Sequence, residues 1–439
     1  MKTYRIVLGG WLVAMGSLPG IAQSSFQRFD EVWQYAQQHA PDLRIKALEQ
    51  QKAEVTRKAA DGQRLPQVGL SSMAQNNLNL PITPVPGEIL GQPGTTIPLQ
   101  FGKKYNYNAV LNAQVDLLNL TNRFNRQQAR LSQELVRHQG NVVWQTLREN
   151  LASAYYQQLL AQQAVRVAAE NRTASDTLDR LAEQKLTEGL ISAVERNQSK
   201  VIRQTAWDSW RDSQQRLEEA RWALGQLMGL PPDQPPQLTE PAESLLPDSA
   251  QTGLPLRSDP AIALAEAQAQ LAQSRWDQQR WSAVPRVSLY GSLGYQQFQD
   301  SFRLSFGPGA WNPNSLIGLR LEVPLFTGFS QQNNRRAAQI DLEIARKQAE
   351  TTRQQAQFAE LKLKGQVRFG AEAVAGAATT VALYQSTLTL TRQRFEQGLV
   401  GLEAYQTAFR DYLNAQMNYL NRLADYQAAQ AVFASRLPE

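Results

Sequence analysis

The hydrophobic positions of this chain follow a period of two in some segments and a helical period in others. Three segments alternate strictly between apolar and polar residues, and a fourth, near residue 70, alternates less regularly. In "SLIGLRLEVPLF", for example, Ile317, Leu319 and Leu321 share one face. This alternation predicts strands at about 66–76, 104–118, 285–297 and 314–326. Strands of this length are typical of membrane-crossing strands, and equally of a half-buried soluble sheet.

Two very long segments, about 121–188 and 328–397, keep the helical period without a break. At 1.5 Å per residue, each helix would be roughly 100 Å long. Each ends in a short glycine-containing segment and is followed by a returning helix. In the second return helix, apolar and aromatic residues recur in steps of four and three, beginning at Tyr405, Phe409 and Tyr412. This spacing predicts coiled-coil packing, with these aromatic residues in the core.

The chain repeats its own plan. The glycine breaks "EGLIS" and "QGLVG" are 398 − 189 = 209 positions apart, and matching strand and helix landmarks occur in the same order in both halves. We therefore predict an internal duplication. The predicted division is a signal peptide at 1–22, a first repeat at 23–229 with its helical tip at 188–192, a Pro-rich equatorial linker at 230–258, and a second repeat at 259–439 with its tip at 397–401.

Composition excludes several classes of protein. Lys2, Arg5 and an apolar run before Ala22 indicate a secretory signal peptide, so we expect an exported protein. The formal net charge of +6 is small for 439 residues, and the charges alternate in sign, so nucleic-acid binding is not expected. The chain has no cysteine and two histidines, and it lacks hydrolase, zinc-protease and P-loop motifs. We therefore expect no enzymatic activity, no cofactor and no metal site.

Four strands are too few to close a barrel, and an open sheet edge is not tolerated in lipid. If the strands cross a membrane, several copies of the chain must share one barrel, and three copies would supply about 12 strands. The predicted fold is mainly α with a small β part. It is a duplicated helix, β-hairpin and long helical hairpin unit that forms a homotrimer. The 12-stranded β-barrel of that trimer would lie among outer-membrane lipids and continue into a long periplasmic α-helical barrel.

The sequence resembles the TolC family of outer-membrane efflux proteins over essentially the whole predicted mature chain. The resemblance rests on "LPQVGL" and "VPRVSL" at the strand starts, "VPLFTGF" at a strand end, and the two tip segments, in this order and spacing. It implies a passive exit duct in the outer membrane that extends into the periplasm. It also implies docking with a periplasmic adaptor protein and an energised inner-membrane transporter.

The resemblance also implies a role for the tips, where apolar residues are expected at a water-exposed turn. The residues expected to contact the adaptor are Gly189, Leu190, Ile191, Ser192, Gly398, Leu399, Val400 and Gly401. The alternative is that some of these apolar residues only clasp neighbouring helices together.

Members of the family often narrow the periplasmic mouth with a ring of carboxylates just past each tip. Glu195 fits this pattern, whereas Ala404 occupies the corresponding position of the second repeat, so Glu403 or Asp411 would have to substitute there. Arg196 and Arg410 are candidates for ion pairs that hold a closed mouth. The alternative for Glu195 is a solvated helix face or an intersubunit ion pair.

Two rival functions remain at this stage. A structural or adhesive coiled-coil surface protein would share the long helices but would not need paired membrane hairpins. Within the channel class, a type I protein-secretion duct is as compatible with the sequence as a duct for small molecules.

Overall fold

The computed structural model describes residues 25–86, 89, 91, 93–240 and 255–437. The predicted signal peptide lies outside these residues, as do residues 241–254 of the predicted Pro-rich linker. The helices are α1 (Phe29–His39), α2 (Pro41–Gly62), α3 (Leu120–Thr187), α4 (Ala193–Met228), α5 (Pro260–Arg280), α6 (Ser330–Glu396) and α7 (Leu402–Ser435). With 68 and 67 residues, α3 and α6 are each about 100 Å long.

Four long strands form one antiparallel sheet in the order β2-β5-β7-β8. The strands are β1 (Ser25–Phe26), β2 (Gln67–Asn76), β3 (Ile82–Pro86), β4 (Thr96–Gln100), β5 (Tyr105–Leu118), β6 (Gln237–Leu238), β7 (Arg286–Gln299) and β8 (Asn312–Glu322). β8 ends four residues before the predicted limit of 326. Pro324, which follows two residues later, has no N–H to donate to a neighbouring strand.

The register of the four-stranded sheet brings apolar residues together on one face. Val68 lies opposite Ala113, which lies opposite Gly291, which in turn lies opposite Ile317. The large side chains on this face are exposed, including Ile317 at 79%. The other face is mostly polar, because successive side chains of a strand point to opposite sides. The sheet therefore has one exposed apolar face and one largely polar face.

Two short β-pairs were not predicted from the sequence. β3 and β4 form a hairpin inside the loop between β2 and β5, where Pro84 lies opposite Pro98. β1 pairs with β6 in parallel over only two residues. β1 and β6 are too short to be recognised from the sequence, and the prolines of β3 and β4 argue against a strand there.

The chain divides into two compact units. One unit comprises residues 1–44, 143–257 and 358–439, and its core is built around the fully buried side chains of Leu151, Tyr155, Leu224, Val367 and Tyr426. Within this unit, Tyr405, Phe409, Leu423 and Tyr426 of α7 are at most 7% exposed, which is the position that the four-and-three spacing predicts for them.

The other unit comprises residues 45–142 and 258–357 and contains the four-stranded sheet. Its helical segments are joined by polar contacts. The Gln128 amide of α3 donates to Gln278 of α5 at 2.9 Å, and Arg353 of α6 pairs with Glu266 of α5 at 2.7 Å. Each strand of the sheet is joined to one of these helices by a short connection, so the unit contains four strand–helix junctions.

Candidate functional site: the two helical tips

The two glycine breaks have the same backbone construction. Gly189 (φ 73°) follows α3 and Gly398 (φ 75°) follows α6, both in the left-handed region. The Leu190 N–H donates to the Lys185 carbonyl at 2.8 Å, and the Leu399 N–H donates to the Arg394 carbonyl at 2.9 Å. This is the Schellman arrangement that ends a helix. A Cβ at either glycine would meet no atom within 4 Å, so glycine is needed for its backbone angle rather than for space.

The apolar residues of each tip divide into one exposed and one packed side chain. Leu190 is 66% exposed and Leu399 is 69% exposed. Their neighbours Ile191 and Val400 pack against a small hydrophobic cluster. The buried members of this cluster, here called the tip cluster, are Leu178, Ala182, Phe395, Leu402 and Tyr405. Each tip therefore presents one free leucine next to a residue that fastens the turn.

The two tips differ in how their return helices begin. Ser192 is the N-cap of α4 and accepts from the Glu195 N–H, while the Glu195 carboxylate accepts from the Ser192 N–H at 2.7 Å, which completes a capping box. The backbone N–H and then the hydroxyl of Ser192 lower the pKa of Glu195. Since the charged carboxylate is favoured, the cap weakens as the pH falls through this lowered value. Gly401, the N-cap of α7, provides no side-chain hydrogen bond.

Arg196 lies in a buried ion-pair network between α3 and α4. Its side chain is 7% exposed, and its guanidinium contacts the carboxylate of Asp179, which is 8% exposed, and the carboxylate of Glu183 at 3.3 Å. Ser199 donates to Asp179 at 3.0 Å and accepts from Arg196 at 3.0 Å. Arg203 extends the network to Asp179 at 3.7 Å. Arg196 therefore fastens the first hairpin within one copy of the chain.

The remaining charged candidates lie along α7. Glu403 and Arg410 are exposed, and Asp411 is half-buried. Glu403 and Arg410 line a groove of about 860 Å³ between α4 and α7, with α3 residues also contributing to its lining. The Gln406 amide nitrogen in the same lining is buried and has no hydrogen-bond partner among the described residues.

Lys185 connects the first tip to the second hairpin. Its ammonium donates to the Phe395 carbonyl in the last turn of α6 at 3.1 Å, and it lies 4.6 Å from the centre of the Phe395 ring. A cation is favourable at the C-terminal end of a helix. The Phe395 ring also stacks on Tyr405, with ring centres 5.7 Å apart. The two tips within one chain are thus joined by a charged contact as well as by the tip cluster.

A comparison with protein families identifies the class of the chain. The profile of the family described as "Outer membrane efflux protein" matches residues 32–230 and 254–435. The chain belongs to this family. The resemblance to TolC-type channels and the predicted mainly α fold with a small β part are therefore confirmed, and the protein is located in the outer membrane and extends into the periplasm. The family is one of efflux proteins, not enzymes, and it does not favour the alternative of a coiled-coil surface protein.

Relatives of this outer-membrane efflux protein agree with the assignment. A curated relative, the pyoverdine export outer membrane protein OpmQ of Pseudomonas aeruginosa, is 28% identical over 208 residues, which cover 46% of this chain. The chain spans 41% of the length of that relative.

Solved structures share the fold. The outer membrane protein VceC of Vibrio cholerae has a TM-score of 0.73 at 20% identity, covering 93% of this chain and 95% of that one. The Neisseria gonorrhoeae MtrE outer membrane channel, solved in its open state, has a TM-score of 0.70 at 17% identity, covering 96% and 93%. Within the described part of this chain, every helix is too short or too polar to cross a bilayer.

Sequence reasoning missed two residues that organise the tips, Asp179 and Lys185. Asp179 is 17 positions from Arg196 and on the opposite helix of the hairpin, so no local spacing connects them. A signal was nevertheless present in the repeat: the offset of 209 places Leu388 and Tyr405 where the first repeat has Asp179 and Arg196. A charged pair in one repeat that is replaced by an apolar pair in the other indicates a buried contact.

Proposed function

We propose that this outer-membrane efflux protein is the passive exit duct of a tripartite export system. Three copies would share one barrel, and the helical tips would dock with a periplasmic adaptor that is coupled to an inner-membrane transporter. The family supports this proposal, because its members are efflux proteins of the outer membrane. The duct itself needs no catalytic group.

The observation that carries the proposal is the four-stranded sheet. Its apolar face is exposed, with Leu70 at 76%, Ile317 at 79% and Leu319 at 67%, and within the described residues β2 and β8 each pair with a neighbouring strand on one side only. An exposed apolar face next to a polar face fits a sheet between lipid and a water-filled lumen. Open edges are not stable in lipid, so the edge strands must pair with those of other copies.

The test is assembly and conductance. The purified protein is expected to run as a trimer in cross-linking and light-scattering measurements and to form ion-conducting pores in planar bilayers of neutral phosphatidylcholine. Conductance should appear without nucleotide or substrate, because the duct is passive. A monomer, or a trimer that inserts without conducting, would contradict the proposed function.

We further propose that Glu195 contributes to the periplasmic mouth, with Glu403 or Asp411 from the second repeat, and that Arg410 offers a counter-charge. The motivation is the position of Glu195 and Glu403 on the first turns of the two return helices, while Arg410 and Asp411 lie about two turns further along α7. In the same recordings, Glu195→Gln should lower the preference for cations over anions. Glutamine also serves in a capping box, so the turn keeps its hydrogen bonds. An unchanged ion preference would assign Glu195 to capping alone.

For the adaptor contact, we propose that Leu190 and Leu399 are the main contact residues, supported by the glycine turns and by the flanking Ser192 and Gly401. Ile191 and Val400 would act indirectly, by holding the turns. The double variant Leu190→Asp, Leu399→Asp is expected to weaken binding to the adaptor by at least tenfold, because it removes two exposed apolar side chains that a partner would bury. Binding can be measured by surface plasmon resonance with the adaptor immobilised.

The matched control places the same charges beside the tips. Thr187→Asp with Gln397→Asp changes two exposed polar residues that directly flank the turns. If the leucines are the contacts, this control keeps most of the affinity, and both double variants keep the wild-type melting temperature. Equal loss in both variants would point to general electrostatic repulsion and would remove the leucines as the specific contacts.

We also propose that the two structural repeats, 23–229 and 259–439, arose as copies of one unit joined by the linker at 230–258. The shared Schellman geometry of Gly189 and Gly398 supports this division. Because Asp179 and Arg196 have no charged counterparts in the second repeat, the two copies would contribute unequally to any gate.

A further inference from the structure

The four strand–helix junctions of the sheet-containing unit share one chemical pattern. Each carries at least one exposed arginine and at least one exposed large apolar residue. The arginines are Arg64, Arg123, Arg280, Arg335 and Arg336. The apolar residues are Leu65, Leu117, Leu118, Trp281, Leu325, Phe326 and Phe329, all between 44% and 92% exposed. We call these twelve residues the junction collar.

The collar continues the apolar face of the sheet. Leu319 and Leu321 lie on the apolar face of β8, 67% and 65% exposed, and Val323 and Leu325, which follow the last residue of this strand, are 42% and 92% exposed. The polar side of the same segment carries Glu322. The exposed collar residues after β8 therefore come directly after the strand whose apolar face is expected to meet lipid.

The turn after β8 holds two aromatic rings at a conformational cost. Phe329 has φ of 65° and is the only described residue other than glycine with a positive φ. This conformation is strained for a bulky side chain, and such strain is found at turns and at functional sites. The Phe329 ring packs edge-on against Phe326, with ring centres 5.7 Å apart, and both rings stay exposed. Glycine would adopt this turn without strain, whereas phenylalanine adds an exposed ring at the end of the sheet.

The collar arginines have no acidic partner within the described part of the chain, where no carboxylate comes within 4 Å of any of the five guanidinium groups. The carboxylates in the same segments are already engaged. Asp61 pairs with Arg57 at 3.1 Å, Asp116 accepts from Asn122 at 2.7 Å, and Glu322 pairs with Arg286 at 3.4 Å. The collar is therefore cationic as well as apolar.

We propose that the junction collar binds anionic phospholipid headgroups of the periplasmic leaflet of the outer membrane. The arginines would contact the phosphates, and the leucine and aromatic side chains would lie at the level of the upper acyl chains. The inference rests on the outer-membrane location and on the orientation in the proposed function, with the helices toward the periplasm.

Pairing of the edge strands between copies does not account for the collar residues at the inner junctions. Copies that share a barrel meet at the edge strands β2 and β8, whereas Arg123 follows the inner strand β5 and Arg280 precedes the inner strand β7. Exposed arginines occur at the inner junctions as well as at the outer ones. This distribution is expected if the ligand is the layer of lipid headgroups along the whole width of the sheet. Five cations without acidic partners are complementary to a phosphate-bearing surface.

The experiment measures lipid selectivity by electron spin resonance. The full protein is reconstituted into phosphatidylcholine vesicles with a trace of spin-labelled phosphatidylglycerol or spin-labelled phosphatidylcholine. We expect the wild type to bind phosphatidylglycerol about fivefold more strongly than phosphatidylcholine at low salt. This is the ratio of affinities that the contact of one arginine with an anionic headgroup is expected to produce. The preference should fall toward parity in about 1 M NaCl. The variant Arg123→Gln, Arg335→Gln, Arg336→Gln should show little preference at any salt concentration.

The matched control, Arg166→Gln, Arg180→Gln, Arg216→Gln, removes three exposed arginines far along the chain from any strand and should keep the wild-type preference. Phe329→Gly relieves the strained turn, so it should keep the trimer while reducing the number of lipids immobilised per protein.

Two results would overturn the proposal: no preference in the wild type, or a preference that survives the junction variant. If the preference survives while the trimer is lost, the arginines are assigned to a contact between copies. Conductance in neutral phosphatidylcholine bilayers tests the proposed duct separately, because a failed lipid preference leaves that conductance unaffected.

Discussion

Replacing Arg196 with alanine is expected to destabilise the first helical hairpin by about 3–5 kcal/mol, the usual cost of removing one partner from a buried ion pair. The buried Asp179 carboxylate would lose its main partner and keep only the Ser199 hydroxyl and the more distant Arg203. Because assembled outer-membrane proteins rarely unfold in two states, the effect is best measured locally. Amide hydrogen exchange of residues 175–205 should lose protection by a factor of 100 or more.

The second repeat supplies the matched rescue. The double variant Asp179→Leu, Arg196→Tyr introduces the residues that lie 209 positions later, Leu388 and Tyr405. Replacement of a buried ion pair by apolar residues is often neutral or stabilising, so protection should return to within about tenfold of wild type. If the double variant were as unprotected as Arg196→Ala, the charged pair would have a role that packing cannot replace.

The second large effect is expected for Gly229→Ala, which should lower the free energy of unfolding by about 2–5 kcal/mol. Gly229 caps α4 with φ of 78°, which costs a residue with a Cβ about 1–2 kcal/mol. An added Cβ would also lie 2.6 Å from the His39 carbonyl oxygen and 3.0 Å from Pro41, so the backbone between α1 and α2 would have to move. Overpacking of this kind adds about 1–3 kcal/mol.

Gly189→Ala is the control, because Gly189 has nearly the same φ, 73°, and open space around its Cβ position. It should cost only the backbone term of about 1–2 kcal/mol. The comparison is made by amide hydrogen exchange at equal protein concentration, read at residues 29–44 for Gly229→Ala and at residues 180–195 for Gly189→Ala. Equal effects of the two substitutions would show that the close approach to His39 is relieved at no cost.

Periodicity in the sequence was sufficient for the long elements. The alternation around Ile317 and Leu319 marks β8, and the four-and-three spacing of Tyr405 and Phe409 marks the buried face of α7. These patterns are informative because a single environment, lipid or core, acts on many residues in a row. The alternation predicted the end of β8 at 326, whereas the strand ends at Glu322, because apolar and polar residues continue to alternate past Pro324.

The tips show where sequence reasoning stops. Leu190 and Ile191 are adjacent, similar in size and both apolar, yet one is exposed and the other packs on the tip cluster. The difference depends on Leu402 and Tyr405, which are more than 200 residues away in the chain. Likewise, the pairing of Arg196 with Asp179 is set by the packing of two antiparallel helices. Arg196 could be chosen as a charged candidate from the sequence, but its partner could not.

The contact of Lys185 with the last turn of α6 has a mechanical consequence. α6 ends at Glu396, and the carbonyl that Lys185 holds belongs to Phe395, so the final turn of the second hairpin is tethered to the first. A pull on the loop at Leu190 would be transmitted through Lys185 to the loop at Leu399 before either helix bends. The two loops would then move together, so a partner that binds only one of them would displace both.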